Sequence, residues 1–143
     1  MFRRKPALEI FLVHPGGPFW ANKDQWSIPK GEYQDHEPPL AAAQREFQEE
    51  TGFTPRGPFI ELGEITQPSG KRVLAWAFEG DCEPAALASN SCSLEWPPRS
   101  GRRIEIPEVD RGAWFSIAQA RKKIFKGQEK LLVRLVDSLP GAQ

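Results

Sequence analysis

Residues 31–53 read GEYQDHEPPLAAAQREFQEETGF, and the rest of the chain is best read outward from this stretch. Its second half has the pattern of a helix. Each residue of an α-helix turns the chain by about 100°, so Glu46, Glu49 and Glu50, at i, i+3 and i+4, project from one arc of one side. Leu40, Ala43 and Phe47 fall on an adjoining arc as a narrow apolar stripe, and Gln44 and Gln48 fall on the far side. Residues 40–51 are therefore expected to be helical. Residues 35–39 supply the start, with prolines suited to a first turn, and Gly52 supplies the stop.

Three carboxylates on one surface work against the helix that carries them. Like charges at these spacings cost ~0.2–0.5 kcal/mol per pair, and Glu49 and Glu50 sit in the last turn, where the helix dipole also disfavours negative charge. A solvated acidic face is the ordinary explanation of such clusters, and it leaves that cost without a purpose. A hard divalent cation removes the conflict, because Mg²⁺ binds carboxylate oxygens, keeps several waters and is commonly shared with substrate phosphates. Arg45, four residues before Glu49, is close enough to hold its carboxylate by a charge-assisted hydrogen bond while leaving an oxygen for metal.

The same stretch resembles the signature box of the Nudix hydrolase superfamily at every defined position. Gly31 is followed by Glu37, Arg45-Glu46, an apolar Phe47, Glu49-Glu50, Gly52 and an apolar Phe53 at the family's spacing. With about 7% for each of seven fixed identities, chance gives this on the order of once in 10⁸ starting positions. The resemblance implies an α+β Nudix fold, a mixed β-sheet sandwiched between α-helices (an α/β/α sandwich), and hydrolysis of a phosphoric anhydride bond in a small nucleotide-like substrate with a diphosphate linkage. It makes Glu46, Glu49 and Glu50 the metal carboxylates, with the Gly31 carbonyl as a further ligand, Arg45 as their orienting partner and Glu37 as a loop brace. The expected cofactor is Mg²⁺, with Mn²⁺ as a substitute. The superfamily differs internally in which glutamate receives the proton of the attacking water. Glu49 and Glu50 in the box and Glu108 downstream, with Glu105 behind it, all stay open. EVDRGAWF at residues 108–115 is similar to a segment that often follows the long loop in this superfamily.

Outside the box, residues 8–14 (LEIFLVH) are rich in β-branched and aromatic side chains and stop at Pro15-Gly16-Gly17, the pattern of a buried strand entering a loop. That loop carries Trp20 and Trp26, planar rings suited to stacking on a base. Residues 27–29 are expected as a short strand into Lys30. Residues 59–65 and 72–79 are expected to pair as a hairpin around QPSGK. Residues 80–107, rich in Pro, Ser, Gly and Arg, form a long excursion of the kind that is more often functional than idle. A last strand at residues 113–116 precedes amphipathic helices near 117–125 and 129–139. Few residues precede the first strand, which suggests a shortened sheet edge. Lys30 and Arg72, with Lys71, Arg99, Arg102 and Arg103, are the cations nearest the loops and the candidates for phosphate oxygens.

The phrase QWSIPKGE resembles the approach to the box in Nudix enzymes acting on nucleoside triphosphates or dinucleoside polyphosphates, the expected substrate class. The tyrosine common beyond the box in dinucleoside polyphosphate hydrolases is absent, and Pro68, near a position where ADP-ribose hydrolases often carry proline, is explained as a turn residue. A catalytically silent nucleotide sensor or protein-interaction module is the alternative, and such a member would be expected to lose box acids that are all present here.

The whole chain, 143 residues, is the size of one domain with a real core. Its 19 basic and 19 acidic residues cancel, so no overall field favours general nucleic-acid binding or an anionic membrane. No run approaches the roughly 20 apolar residues of a membrane span, and the start lacks a long apolar secretory region. The expected compartment is the cytoplasm. Cys82 and Cys92 have no metal or disulfide spacing and read as free thiols. A homodimer is left open by the sequence.

Overall fold

The computed structural model describes residues 1–4, 6–30 and 36–140. The expected buried strand is β2, Leu8–Pro15, paired antiparallel on one side with β1, Phe2–Arg4, and on the other with β7, Val109–Ser116. Residues 10–14 are buried on both faces, as the unbroken apolar run of a central strand requires. The sheet edge β1 is three residues long. A hairpin of β3, Ile60–Thr66, and β4, Arg72–Ala77, joins through a parallel bridge from Phe2 to Glu79, which gives the sheet its mixed character.

Alternation along β2 splits the core in two. Ile10 and Leu12 face α2, Ile117–Lys123, and α3, Glu129–Ser138, in a cluster with Phe115, Ile124, Leu132 and Leu135. Phe11 and Val13 face the other way, against Val109, Phe53 and Leu87. The helix α1, Pro39–Thr51, lies against β4, with Phe47 edge-on to Phe78 at 5.1 Å between ring centroids. Helices thus cover both faces of the sheet. Gly52 ends α1 in the left-handed region at φ 79°, and its N–H donates to the Gln48 carbonyl at 2.8 Å. A capping box between Ser116 and Gln119 starts α2.

Four sequence-based expectations change. The last strand starts at Val109, not residue 113, because Gly112 lets the Phe11 ring approach to where a Cβ would stand only 2.3 Å from it. Residues 27–29 form no strand, only single bridges from Ser27 to Val13 and from Trp26 to Ile124, since Pro29 has no N–H to extend a ladder. The excursion at 80–107 holds a 3-10 turn, Pro84–Ala86, and a hairpin of β5, Ser91–Glu95, with β6, Arg103–Pro107. Gln44 does not point to the far side but borders a cavity beside Leu40 and Ala43, so the inward face of α1 is wider than the stripe suggested.

Candidate active site

Arg45 organises the acidic face of α1. Its Nε and Nη2 donate to the two carboxylate oxygens of Glu37 at 2.8 and 2.9 Å, a bidentate pair. Its Nη1 lies 2.9 Å from Glu46 and 3.2 Å from Glu49. Those hydrogen bonds, led by Glu37, raise the guanidinium pKa further. Glu37, expected as a loop brace, is thus bonded to Arg45, a pairing the sequence reading did not specify. Gly31 lies outside the described residues.

Glu50 is set apart from the other two. It is 5% exposed, one of its oxygens, Oε2, is buried without a hydrogen-bond partner, and its pKa is pushed up to about 8. Burial is the main cause, followed by the charges of Glu108 and Glu46, while the Lys30 ammonium and a Lys30 backbone hydrogen bond act in the opposite direction. Glu46 is also raised, chiefly by burial, with Arg45 opposing. An orphaned buried carboxylate oxygen facing two further acids is a hard-ligand set short of a cation, and it fits a divalent ion. Among the described residues no three acidic, cysteine or histidine side chains already form a finished cage. Glu46 and Glu49 are paired with Arg45.

Glu50 and Glu108 line one cleft of about 800 Å³, within the range of small-ligand sites. Trp20 lines it too, edge-on to Phe19 at 4.8 Å and to Phe125 at 5.2 Å. His14, fully buried, holds the loop that carries Trp20, with Nδ1 2.9 Å from Asp110 and Nε2 2.6 Å from the Lys23 carbonyl. Trp26 does not reach the cleft. It is a core residue, 6% exposed, packed on Phe115 and His14 with its indole N–H on Asp24. Lys30 borders both this cleft and a second cavity of about 390 Å³ between α1 and the strands. That second cavity is walled mostly by core side chains, with Lys30, Glu46, Lys71 and Arg72 also in its lining. The cleft, where Glu50 meets Glu108, is the better candidate for chemistry. Glu105 is exposed and accepts a hydrogen bond from the Ser91 hydroxyl.

Asn90, which the sequence did not single out, ties the two acidic elements together. Its N–H donates to the Glu49 carbonyl at 2.8 Å, its carbonyl accepts from the Glu108 N–H at 3.0 Å, and its Nδ2 donates to Glu108 Oε1 at 3.2 Å. Ala88 N–H donates to the Thr51 carbonyl at 2.9 Å. Residues 88–90 thus cap the end of α1 while positioning Glu108. Nothing in a run of Ala, Ser and Asn signals that role; it appears only when helix and strand meet.

The NUDIX domain family model matches residues 1–135. This chain belongs to the Nudix family. The Nudix domain resembles a Caenorhabditis elegans Ap4A hydrolase solved as a binary complex, at 18% identity and TM-score 0.69, covering 98% of this chain and 94% of that one. It is also similar to the NUDIX domain of Shewanella oneidensis NrtR complexed with ADP ribose, at 14% identity and TM-score 0.66 over 95% and 81% of the two chains. A MutT protein from Methanosarcina mazei Go1 follows at 19% identity and TM-score 0.58, over 94% and 86%. At these identities the likeness speaks for the fold. The search of curated proteins found no match to this chain. Among its described residues no helix is long and apolar enough to cross a membrane, and both cysteines are free thiols.

Proposed function

We propose that the protein is a Mg²⁺-dependent hydrolase, with Mn²⁺ as a substitute, that cleaves a phosphoric anhydride bond in a nucleoside triphosphate or dinucleoside polyphosphate. The observation that carries this reading is the buried Glu50 carboxylate, with an unpartnered oxygen, in a cleft shared with Glu108. The divalent cation supplies charge stabilisation to the phosphoryl oxygens and makes water a better nucleophile.

The chain's own residues do the rest. Glu46, Glu49 and Glu50 would hold the cation, with the Gly31 carbonyl as the further ligand that the box implies. Arg45, braced by Glu37, sets the direction of Glu46 and Glu49. Asn90 occupies Glu108 Oε1, which leaves Oε2 to receive the proton of the attacking water. Lys30, at the cleft wall beside Glu50, offsets phosphate charge, and Trp20 packs against the base. Arg72 borders the other cavity and not this cleft, so it takes no phosphate role in this reading.

The test is to incubate the purified protein with Mg²⁺ and a panel of nucleoside triphosphates, dinucleoside polyphosphates, nucleotide sugars and ADP-ribose, and to identify the products. Turnover of a triphosphate or dinucleoside polyphosphate is expected, lost on chelation and restored by Mg²⁺ or Mn²⁺. Activity that survives exhaustive chelation overturns the metal assignment, and binding without turnover of any compound in the panel overturns the hydrolase reading.

A further inference from the structure

Among the described residues, three buried side-chain polar atoms lack a hydrogen-bond partner: Glu50 Oε2, Asn90 Oδ1 and Gln67 Nε2. Folded proteins leave few such atoms, and each calls for an explanation, whether an ordered water, an ion or a ligand. Two of the three border one cleft, and the third sits behind it. Glu50 and Gln67 line it, and Asn90 is bonded to Glu108, which lines it as well.

The three divide by chemistry. Glu50 and Asn90 present acceptors, as a cation and its waters require. Gln67 presents a donor, and it stands on a different wall, where the β3–β4 turn meets the 3-10 turn Lys126–Gln128. A Cβ on Gly127 would lie 3.5 Å from the Gln67 Cα, so these two turns are in contact. Trp20 and Phe125, in ring contact with each other, line the cleft too. The root of the Gln67 side chain is fixed, because its N–H donates to the Lys71 carbonyl and its carbonyl accepts from the Gly70 N–H, each at 2.8 Å. A donor on a held backbone in an aromatic-lined cleft is preorganised for a flat ligand bearing an acceptor.

We infer that Gln67 is a substrate-recognition residue whose Nε2 donates to a ring nitrogen or carbonyl oxygen of the substrate's nucleobase. The inference rests on the reading of the cleft as a site for nucleotide-like compounds. It extends that reading by assigning recognition of the base to a residue outside both the box and the Trp20 loop. A glutamine amide suits the task, since it pairs a donor with an adjacent acceptor and so matches the edge of a base such as adenine.

The experiment measures binding of AMP, GMP, UMP and inorganic pyrophosphate, each with Mg²⁺, to the native chain, Gln67→Leu and Gln67→Glu by calorimetry and tryptophan fluorescence. The leucine variant removes the polar group, and the glutamate variant keeps the shape but loses the N–H. Both are expected to weaken at least one nucleotide about tenfold and to keep the native melting temperature; the pyrophosphate arm is read in the leucine variant alone, which adds no negative charge to the cleft, and is expected to be unchanged. On the hydrolysed substrate they raise KM and leave kcat nearly unchanged. Native affinity for all three nucleotides in both variants overturns the inference, as does failure of the native chain to bind any of them. An equal loss for pyrophosphate in the leucine variant also overturns it, by placing a phosphate at Gln67. Nucleotide binding that depends on Gln67 in a protein that hydrolyses nothing in the wider panel would leave this subsite standing and remove the hydrolase reading instead.

Discussion

Glu50 and Glu49 are chain neighbours with different surroundings. Glu50 is 5% exposed with an oxygen lacking a partner, while the Glu49 side chain is 40% exposed and paired with Arg45. Glutamine at either position is nearly isosteric and removes a charge proposed to hold the cation, so turnover falls by roughly a hundredfold or more in each variant. Their metal-free stabilities separate. Glu50→Gln melts at or above the native temperature, because burial no longer opposes a charge. Glu49→Gln stays level, since relief of like-charge repulsion, a few tenths of a kcal/mol, is offset by loss of a half-exposed ion pair of similar size. Gln48→Glu, at an exposed position, leaves rate and metal response unchanged. Steady-state rates and melting curves with and without metal check all three, and near-native turnover in either glutamine variant removes α1 from the catalytic centre.

The helix α1 and the 88–90 strap are coupled through the end of the helix. Gly52 sits at φ 79°, and a Cβ there would stand 3.0 Å from the Ala88 carbonyl oxygen and 3.2 Å from the Ala88 Cβ. Gly52→Ala therefore meets both a left-handed backbone, worth roughly 1–2 kcal/mol, and the strap that positions Glu108. It is expected to lower the melting temperature by several degrees and to reduce kcat beyond what partial unfolding explains, measured at a temperature where the variant is fully folded. An unchanged kcat there would mean that the strap does not transmit the helix end to Glu108. The helix, its stop and the pairing of Arg45 with Glu49 were legible in the sequence because they depend on spacing within one or two turns, whereas the bond from Arg45 to Glu37 was not. The β5–β6 hairpin was not legible. Its strands do alternate, Cys92 and Leu94 opposite Ile106 and Ile104, but each run is only five residues long and lies in a stretch rich in Pro, Ser, Gly and Arg, whose composition masks the period.

Across the whole molecule, the raised Glu50 pKa makes stability depend on pH in a set direction. Its folded value of about 8 exceeds the ordinary 4.5, so between them the native state keeps a proton that the unfolded chain has released. Stability from this group then falls as pH rises through that window and is lost above it. The metal-free melting temperature is expected to decline from about pH 5 towards about pH 8, and the decline should be shallower in Glu50→Gln. Stabilisation by Mg²⁺ should grow over the same range, because the cation takes the deprotonated carboxylate. Thermal melts in chelator and in Mg²⁺ across this range check it, and an equally steep decline in Glu50→Gln would exclude Glu50 as its source. The sequence by itself determined the Nudix family, the central strand, the acidic helix and its stop, since each is written in local period or in a fixed spacing of charged and glycine residues. Only the tertiary structure decided that Glu50 is the buried acid and Glu108 its neighbour, that Trp20 faces the cleft while Trp26 fills the core, and that Asn90 and Gln67 belong to the site. Those outcomes depend on burial and on contacts between residues far apart in the chain, which neither periodicity nor composition records.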